Sequence, residues 1–220
     1  MSPAPWLEFP VLRGEPIRAV ITLRVPGVEV STDKARTMEL LDEPIRLRVE
    51  ALTAGLSLVT AEQTHGNEVE EVETDPFEPV PVVDGLLTSN RQLVIGIAVA
   101  DCCPVWLWTE DGSAISVVHA GRKGTEGGIA AIAAKKLMAR TGCKPGALRA
   151  FFGPCIRPPH YEVDIPALLH TQLAEVGVEN ERDCRLDTAS DLARFYSYRM
   201  EKGCTGRMLA LGWLASPVAG

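Results

Sequence analysis

The sequence lacks the features that define several large classes of protein. It has no apolar run of the roughly 18 residues that a membrane-spanning helix needs. Its first residues show no basic stretch followed by an apolar core, as a signal peptide would. Positive charge is in the minority, because 22 Lys and Arg face 29 Asp and Glu, and no block of like charge occurs. The net charge of −7 disfavours nucleic acid and anionic membranes as partners.

The remaining composition is that of a compact globular protein. Nearly half of the 220 residues are hydrophobic (46%), which is enough for one large core. Six cysteines without a secretory signal indicate cytosolic thiols rather than a disulfide framework. We therefore expect a single domain over residues 1–220 in a soluble, cytoplasmic protein. As a monomer or small homo-oligomer, it would act on small molecules.

Segments typical of strands and helices alternate along the chain. The apolar run 93–100 suits a strand buried on both faces, and Asp111-Gly112 predicts a hairpin between its flanking runs. Segment 70–81 is acidic and rich in proline, which predicts a surface loop or edge connection, and Asp84-Gly85 predicts a turn. The predicted strands are 18–24, 57–62, 93–100, 105–108, 114–118, 148–152 and 207–214; the predicted helices are 32–41, 45–54, 127–140 and 165–176. This pattern predicts a single α/β domain with a mixed sheet.

Three possible metal ligands stand where apolar runs stop and turns begin. They are His65, Cys102 and His119. Two imidazoles and a thiolate suit Zn²⁺ and leave a fourth position for water or substrate. Each residue also has an ordinary interpretation, as a solvated turn histidine or an inert buried thiol. Adjacent side chains of an extended chain point to opposite faces, so at most one of Cys102 and Cys103 faces a site.

Other polar residues near these positions are further candidates. Asp101 interrupts an apolar run and is costly to bury unless it is paired or orients a neighbour. The segment 121–128 is rich in glycine, carries Arg122 and Lys123, and opens a predicted helix, as anion sites often do. Its spacing matches neither a Walker loop nor a dinucleotide fingerprint. A flexible turn with solvated cations is the alternative.

Taken together, the short motifs resemble one family. In the same order they recur in the YfiH-like proteins, which have been labelled laccase-domain or polyphenol oxidase proteins, peptidoglycan editing factors and purine nucleoside phosphorylases. The resemblance extends from residue 18 to residue 214. The matching segments are 63–66, 84–88, 100–104, 119–121, 153–156, 161–163, 197–199 and 205–207.

The resemblance implies a fold, a metal and an activity. The implied fold is an α/β sandwich with a mixed β-sheet, similar to the catalytic domain of the cytotoxic necrotizing factor toxins. The implied cofactor is zinc held by His65, Cys102 and His119. The implied activities are phosphorolysis of adenosine, inosine, guanosine or methylthioadenosine, and deamination of adenosine.

These reactions ask for further groups. Deamination needs a carboxylic acid to move protons, and Asp101 or Asp84 could serve. Phosphorolysis needs a cationic cradle for phosphate, for which Arg122, Lys123 and Arg24 are candidates. Gln63 and Asp84 stand in the matching motifs, and we expect them to contact substrate.

The chain departs from the family pattern in three places. Many relatives have His-Ala-Gly-Trp-Arg-Gly where this chain has Arg122-Lys123 after Gly121, and lysine lacks the bidentate fork of arginine. The family's N-terminal motif is only partly kept over residues 22–28. His160 stands where relatives often have a cysteine, although it also suits an ordinary surface position. These changes leave the ligand set intact and the preferred substrate open.

Two other functions compete with the zinc enzyme. A copper-dependent polyphenol oxidase of the multicopper type needs a mononuclear and a trinuclear copper site, and the four histidines of this chain are too few. A metal-free cysteine hydrolase acting on a peptidoglycan precursor would use Cys102 as nucleophile and His119 as base. Bound metal separates this hydrolase from the zinc enzyme, because zinc would occupy the thiolate.

Overall fold

The structure is a computed structural model that describes residues 4–215, apart from the Lys34 side chain. Its strands are β1 Trp6–Glu8, β2 Ile17–Thr22, β3 Ser57–Thr60, β4 Val69–Glu71, β5 Gly85–Thr88, β6 Leu93–Val99, β7 Cys103–Thr109, β8 Ile115–Ala120, β9 Leu148–Phe152, β10 Glu181–Asp183 and β11 Met208–Leu214. Its helices are α1 Lys34–Thr53, α2 Arg122–Glu126, α3 Ile129–Thr141 and α4 Ile165–Glu175, and 3₁₀ turns cover Pro10–Leu12, Pro145–Ala147 and Thr188–Ser190. No helix within 4–215 has the length and apolar character that crossing a membrane requires.

The strands form two mixed sheets. The first has the order β1-β2-β11-β6-β3, and the second has the order β10-β9-β7-β8-β5-β4. Most neighbours are antiparallel, whereas β3 with β6, β4 with β5 and β9 with β10 are parallel. The α/β class with mixed pairing is therefore confirmed, with two sheets where the strand pattern predicted one.

The sheets pack face to face between helices. Their inner faces share one core, in which Ile95 and Ile97 of β6 meet Trp106 of β7 and Val117 of β8. Helix α1 covers the outer face of the first sheet, where Val49 packs with two leucines of β11. Helices α3 and α4 cover the outer face of the second sheet. Alternate residues of each strand thus supply the core between the sheets and a core under a helix.

Two local predictions are wrong. A single helix, α1, replaces the two predicted over 32–41 and 45–54 and continues through Pro44, because its buried residues on both sides of the proline pack on the first sheet. The predicted loop over 70–81 is confirmed except for its first two residues, which end the edge strand β4. Gly85 begins β5 directly after a bend at Asp84, so the predicted turn does not form there. A Cβ at Gly85 would lie 2.6 Å from Val118 Cγ1, so this glycine allows close approach between strands.

Several strand ends meet at one end of the sandwich. Parallel β3 and β6 end there side by side, and the turn from β6 into β7 carries the chain from the first sheet to the second. Antiparallel pairing brings the start of β7 and the start of β5 beside the end of β8. The segments containing residues 65, 102 and 119 therefore converge.

Candidate metal centre

His65, Cys102 and His119 form one group that could hold a metal ion. Their ligand atoms all lie within 4.8 Å of one another, and the two imidazole centroids are 4.8 Å apart with nearly perpendicular rings. Tetrahedral zinc with bonds of 2.0–2.3 Å would separate its ligand atoms by about 3.5 Å. A Cβ at Gly121 would lie 3.1 Å from Cys102 Sγ and 3.4 Å from His65 Cδ2, so this glycine keeps the space beside the ligands open.

Asp84 supports two of these ligands from behind. Its carboxylate is fully buried and lies 2.7 Å from His119 Nδ1, which leaves Nε2 of His119 for a metal. It also accepts hydrogen bonds from the backbone N–H groups of Thr64, His65 and Gly66, at 3.1, 3.0 and 2.7 Å. A carboxylate on the far nitrogen of a ligating histidine is typical of metal sites because it fixes the ring and its tautomer.

The ligands perturb one another's ionisation. Burial opposes the charged form of Cys102, but hydrogen bonds with His119 and His65 outweigh it and lower the pKa of the thiol to about 6. Burial likewise opposes the charged form of His119, but Asp84 and Cys102 raise its pKa to about 9. Before metal binds, Cys102 and His119 therefore form a thiolate–imidazolium pair at neutral pH. The thiolate is the form of cysteine that ligates metals and attacks electrophiles.

The group lines a cavity of about 890 Å³. One part of the wall is apolar or aromatic and includes Met38 of α1, Ile156, Tyr161 and Tyr198. Basic side chains occupy another part. The cavity therefore combines apolar and aromatic side chains with charged ones beside the candidate metal ligands.

Three other predicted site residues line this cavity, and each is already engaged. The Gln63 side chain accepts from Ala98 N–H at 2.7 Å and donates to Ala98 O at 2.8 Å. The Asp101 carboxylate accepts from the Thr188 hydroxyl and from Arg199 N–H, both at 2.7 Å. These bonds tie Asp101 to two later segments of the cavity wall. Arg122 pairs with Glu126 at 2.9 Å and Glu162 at 3.6 Å.

The remaining residues predicted to contact substrate do not line the cavity. Arg24 donates to Phe195 O, pairs with Glu201 and lies over the Tyr196 ring. Lys123 is exposed on α2 and does not line the cavity, and Asp84 lies behind His119.

Sequence reasoning missed six polar residues of the wall: Glu62, Tyr161 and four near the end of the chain. Tyr198, Arg199, Lys202 and Arg207 all line the cavity. Three of them fall in the motifs 197–199 and 205–207, which carried the resemblance but received no role. Their recurrence in those motifs, more than 75 residues after His119, was the available signal.

The two other histidines belong to separate ion pairs. His160 Nδ1 lies 2.7 Å from Asp187 Oδ2, and His170 pairs with Glu181 on the protein surface. Within residues 4–215, the His65–Cys102–His119 group is the one cluster of three or more such residues close enough to share a metal.

Comparisons with known proteins identify the family of this chain. The model of a family described as multi-copper polyphenol oxidoreductase laccase matches residues 39–165 and 162–215. A protein of Corynebacterium glutamicum named purine nucleoside phosphorylase is 31% identical, over 92% of this chain and 96% of its own length. The YlmD protein of Geobacillus stearothermophilus, with the same name, is 29% identical over 69% of this chain and 70% of its own length.

Solved structures share the fold. The crystal structure of YlmD from Geobacillus stearothermophilus matches with a TM-score of 0.81 over 98% of both chains, at 24% identity. The Bacillus licheniformis protein YfiH matches with a TM-score of 0.81 over 97% of both chains, at 21% identity. The resemblance inferred from the motifs is confirmed: the chain belongs to the laccase-like YfiH family, in which the curated relatives named above are called purine nucleoside phosphorylases.

Proposed function

We propose that the protein is a zinc-dependent purine nucleoside phosphorylase that also deaminates adenosine. The observation that carries this proposal is the His65–Cys102–His119 group at the wall of a cavity of about 890 Å³. Such a volume lies within the usual range of small-molecule sites, about 300–1,000 Å³. The name of the relatives supports the reaction class.

The donor set fits a catalytic zinc ion. Three protein ligands leave one tetrahedral position for substrate or water, whereas structural zinc sites use four. Asp84 on His119 supplies the expected outer support. The same His₂Cys set also occurs in blue-copper sites, so identification of the metal is part of the test.

When bound, zinc at such a site polarises a substrate oxygen and lowers the pKa of water. In phosphorolysis a phosphate oxygen bonds to the anomeric carbon while the glycosidic C–N bond breaks. The purine leaves with the bonding electrons and takes up a proton. We assign the purine to the apolar and aromatic side chains of the wall, which are Met38, Ile156, Tyr161 and Tyr198. The flat faces of the purine ring would pack against these side chains and exclude water from between them.

The two acids have different roles in this proposal. Asp101 lines the cavity, so we assign it to proton transfer during deamination. Asp84 is fully buried behind His119, so it positions the imidazole and does not touch substrate. Gln63 holds the end of β6 against the His65 segment through its two bonds to Ala98.

The decisive experiment is metal analysis of the purified protein together with an adenosine assay run with and without phosphate. One zinc per chain and adenine released only in the presence of phosphate are the expected results. Inosine formed without phosphate would support the deaminase activity of the same site. Adenosine turned over in neither assay would contradict the proposal.

One observation favours a second function, a cysteine hydrolase acting on a peptidoglycan precursor. The pKa of Cys102 is lowered to about 6 and that of His119 is raised to about 9, as in the thiolate–imidazolium pair of a cysteine nucleophile. A metal-free protein whose activity is lost on thiol alkylation would favour this function. We do not propose a multicopper oxidase, because His160 and His170 are engaged elsewhere.

A further inference from the structure

One guanidinium in the cavity wall has no acidic partner among residues 4–215. Arg207 is half-buried and lines the cavity. Its side chain donates to the adjacent Gly206 O at 2.9 Å and lies over the Tyr198 ring, 5.8 Å from the centroid. Burial lowers the pKa of Arg207, an effect that the negative charge of nearby Cys102 opposes. A partly buried cation without a paired anion is unfavourable, so its surroundings suit an anionic ligand.

Other arginines near the cavity already have carboxylate partners. Glu162 pairs with both Arg122 and Arg199, at 3.6 and 2.9 Å. Arg24 is held by Glu201. Lys202 also lines the cavity and, in the described part of the chain, makes no ion pair. Arg207 and Lys202 are therefore the cations available to a ligand.

Main-chain pairing places Arg207 close to the metal ligands. Met208 of β11 pairs with Val99 of β6 in an antiparallel register. Continuing this register by one residue places Arg207 opposite Ala100. Ala100 lies two residues before Cys102 in the sequence. Arg207 directly precedes β11, which lies between β2 and β6 in the first sheet.

We propose that Arg207, assisted by Lys202, binds inorganic phosphate beside the His65–Cys102–His119 group. Arginine presents a planar fork that matches two phosphate oxygens, and lysine adds a point charge. The inference rests on the proposed function, in which this phosphate is the nucleophile. It replaces the predicted cradle of Arg122, Lys123 and Arg24, whose side chains are paired or lie away from the cavity wall.

The test is calorimetric titration of the full chain with inorganic phosphate at constant ionic strength. Wild type is compared with Arg207→Gln, Arg207→Lys and the control Arg46→Gln, an exposed arginine of α1 that pairs with Glu50. We expect Arg207→Gln to bind phosphate about tenfold more weakly or worse, Arg207→Lys to lie between, and the control to equal wild type. Metal content and unfolding midpoint are measured on each variant.

Two results would overturn the subsite: no phosphate binding by folded, metal-loaded wild type, or a dissociation constant of Arg207→Gln within twofold of wild type. Should Arg207→Gln not fold, Arg207→Lys is judged by the same twofold limit. A parallel nucleoside assay separates this failure from failure of the proposed function. Phosphate bound through Arg207, with cleavage that needs no phosphate, would keep the subsite and reject phosphorolysis. Phosphate-dependent cleavage with an unchanged KM for phosphate in Arg207→Gln would keep phosphorolysis and reject the subsite.

Discussion

At the scale of single residues, the candidate metal centre is held together by Asp84, a side chain outside the ligand group. Asp84 accepts four hydrogen bonds from residues 64–66 and a fifth contact from His119. His65 has a φ of 60°, a left-handed conformation that costs a non-glycine residue about 1 kcal/mol. Its N–H bond to Asp84 helps to hold this conformation. One buried carboxylate thus fixes two ligands that lie 54 residues apart in sequence.

We expect Asp84→Asn to weaken metal binding about 10- to 100-fold, the usual effect of removing an outer partner of a metal ligand. Loss of charged hydrogen bonds should also lower the free energy of unfolding by about 1.5–3 kcal/mol. Chelator competition and urea unfolding measure the two effects. Asp164→Asn, at the exposed N-cap of α4, is the control and should keep metal affinity. Equal metal affinity in Asp84→Asn and wild type would disprove this role.

Cys102 and Cys103 are neighbours with opposite surroundings. Cys103 is fully buried under the helices of the second sheet, whereas Cys102 belongs to the ligand group. Cys102→Ser should lose bound metal and reduce nucleoside turnover at least about 100-fold, since serine provides no thiolate. Cys103→Ser should keep both and lose about 1 kcal/mol of stability. Metal retained in Cys102→Ser at wild-type stoichiometry would refute the ligand assignment.

From the sequence we selected the three residues that the structure brings together as a group able to hold a metal ion, but not the ion-pair partners of the basic side chains. Each ligand could be recognised because it follows an apolar run at a strand end, and strand ends of one sheet edge meet. The partner of Arg24 is Glu201, 177 positions later, and no local pattern indicates such a pair. Arg24 was therefore predicted to bind phosphate, whereas Arg207 was given no role.

At the scale of elements, prediction worked where periodicity and burial agree. Strand β9 was predicted with its observed bounds, and β6, α3 and α4 within two residues at each end. It failed where packing overrides local chemistry, as at Pro44 within α1 and at Gly85 at the start of β5. The residues that pack against α1 near Pro44 and against Gly85 are distant in the sequence, so the local sequence does not predict these contacts.

The short helix α2 shows how one element positions another. It packs against the His65 segment through Gly124, where a Cβ would lie 2.4 Å from Gly66 O. We expect Gly124→Ala to push these backbones apart and displace His65. Because a displacement of about 1 Å can cost about 100-fold in rate, we expect a loss of that order in nucleoside turnover, with weaker metal binding.

The matched control for Gly124→Ala is Gly146→Ala. Gly146 lies in a 3₁₀ turn, and a Cβ there would meet nothing within 4 Å. Turnover and metal content of this control should equal those of wild type. If Gly124→Ala behaved like Gly146→Ala in both measurements, the candidate metal centre would not depend on close packing of α2 against the His65 segment, and this prediction would be wrong.

At the scale of the whole molecule, the candidate metal centre lies outside the hydrophobic cores. The core between the sheets and the two cores under the helices are built from apolar residues, and the ligands lie at strand ends outside them. The sequence predicted the class and the strand-end positions, but not two sheets. Two-sheet packing depends on which strands pair over long separations, as β2 does with β11, and alternation of residue types does not encode partners.

This separation of core and centre predicts the effect of metal removal. A chelator should leave the far-ultraviolet circular dichroism spectrum unchanged, because the sheets do not need the ligands to pair. Zinc should still stabilise the native state, since it binds the folded chain preferentially. At free zinc 1,000-fold above its dissociation constant the gain is about 4 kcal/mol, measured as a shift in the urea unfolding midpoint. Cys102→Ser should show no such shift. A chelated protein that unfolds outright would mean that the centre is structural, and would count against an open catalytic position.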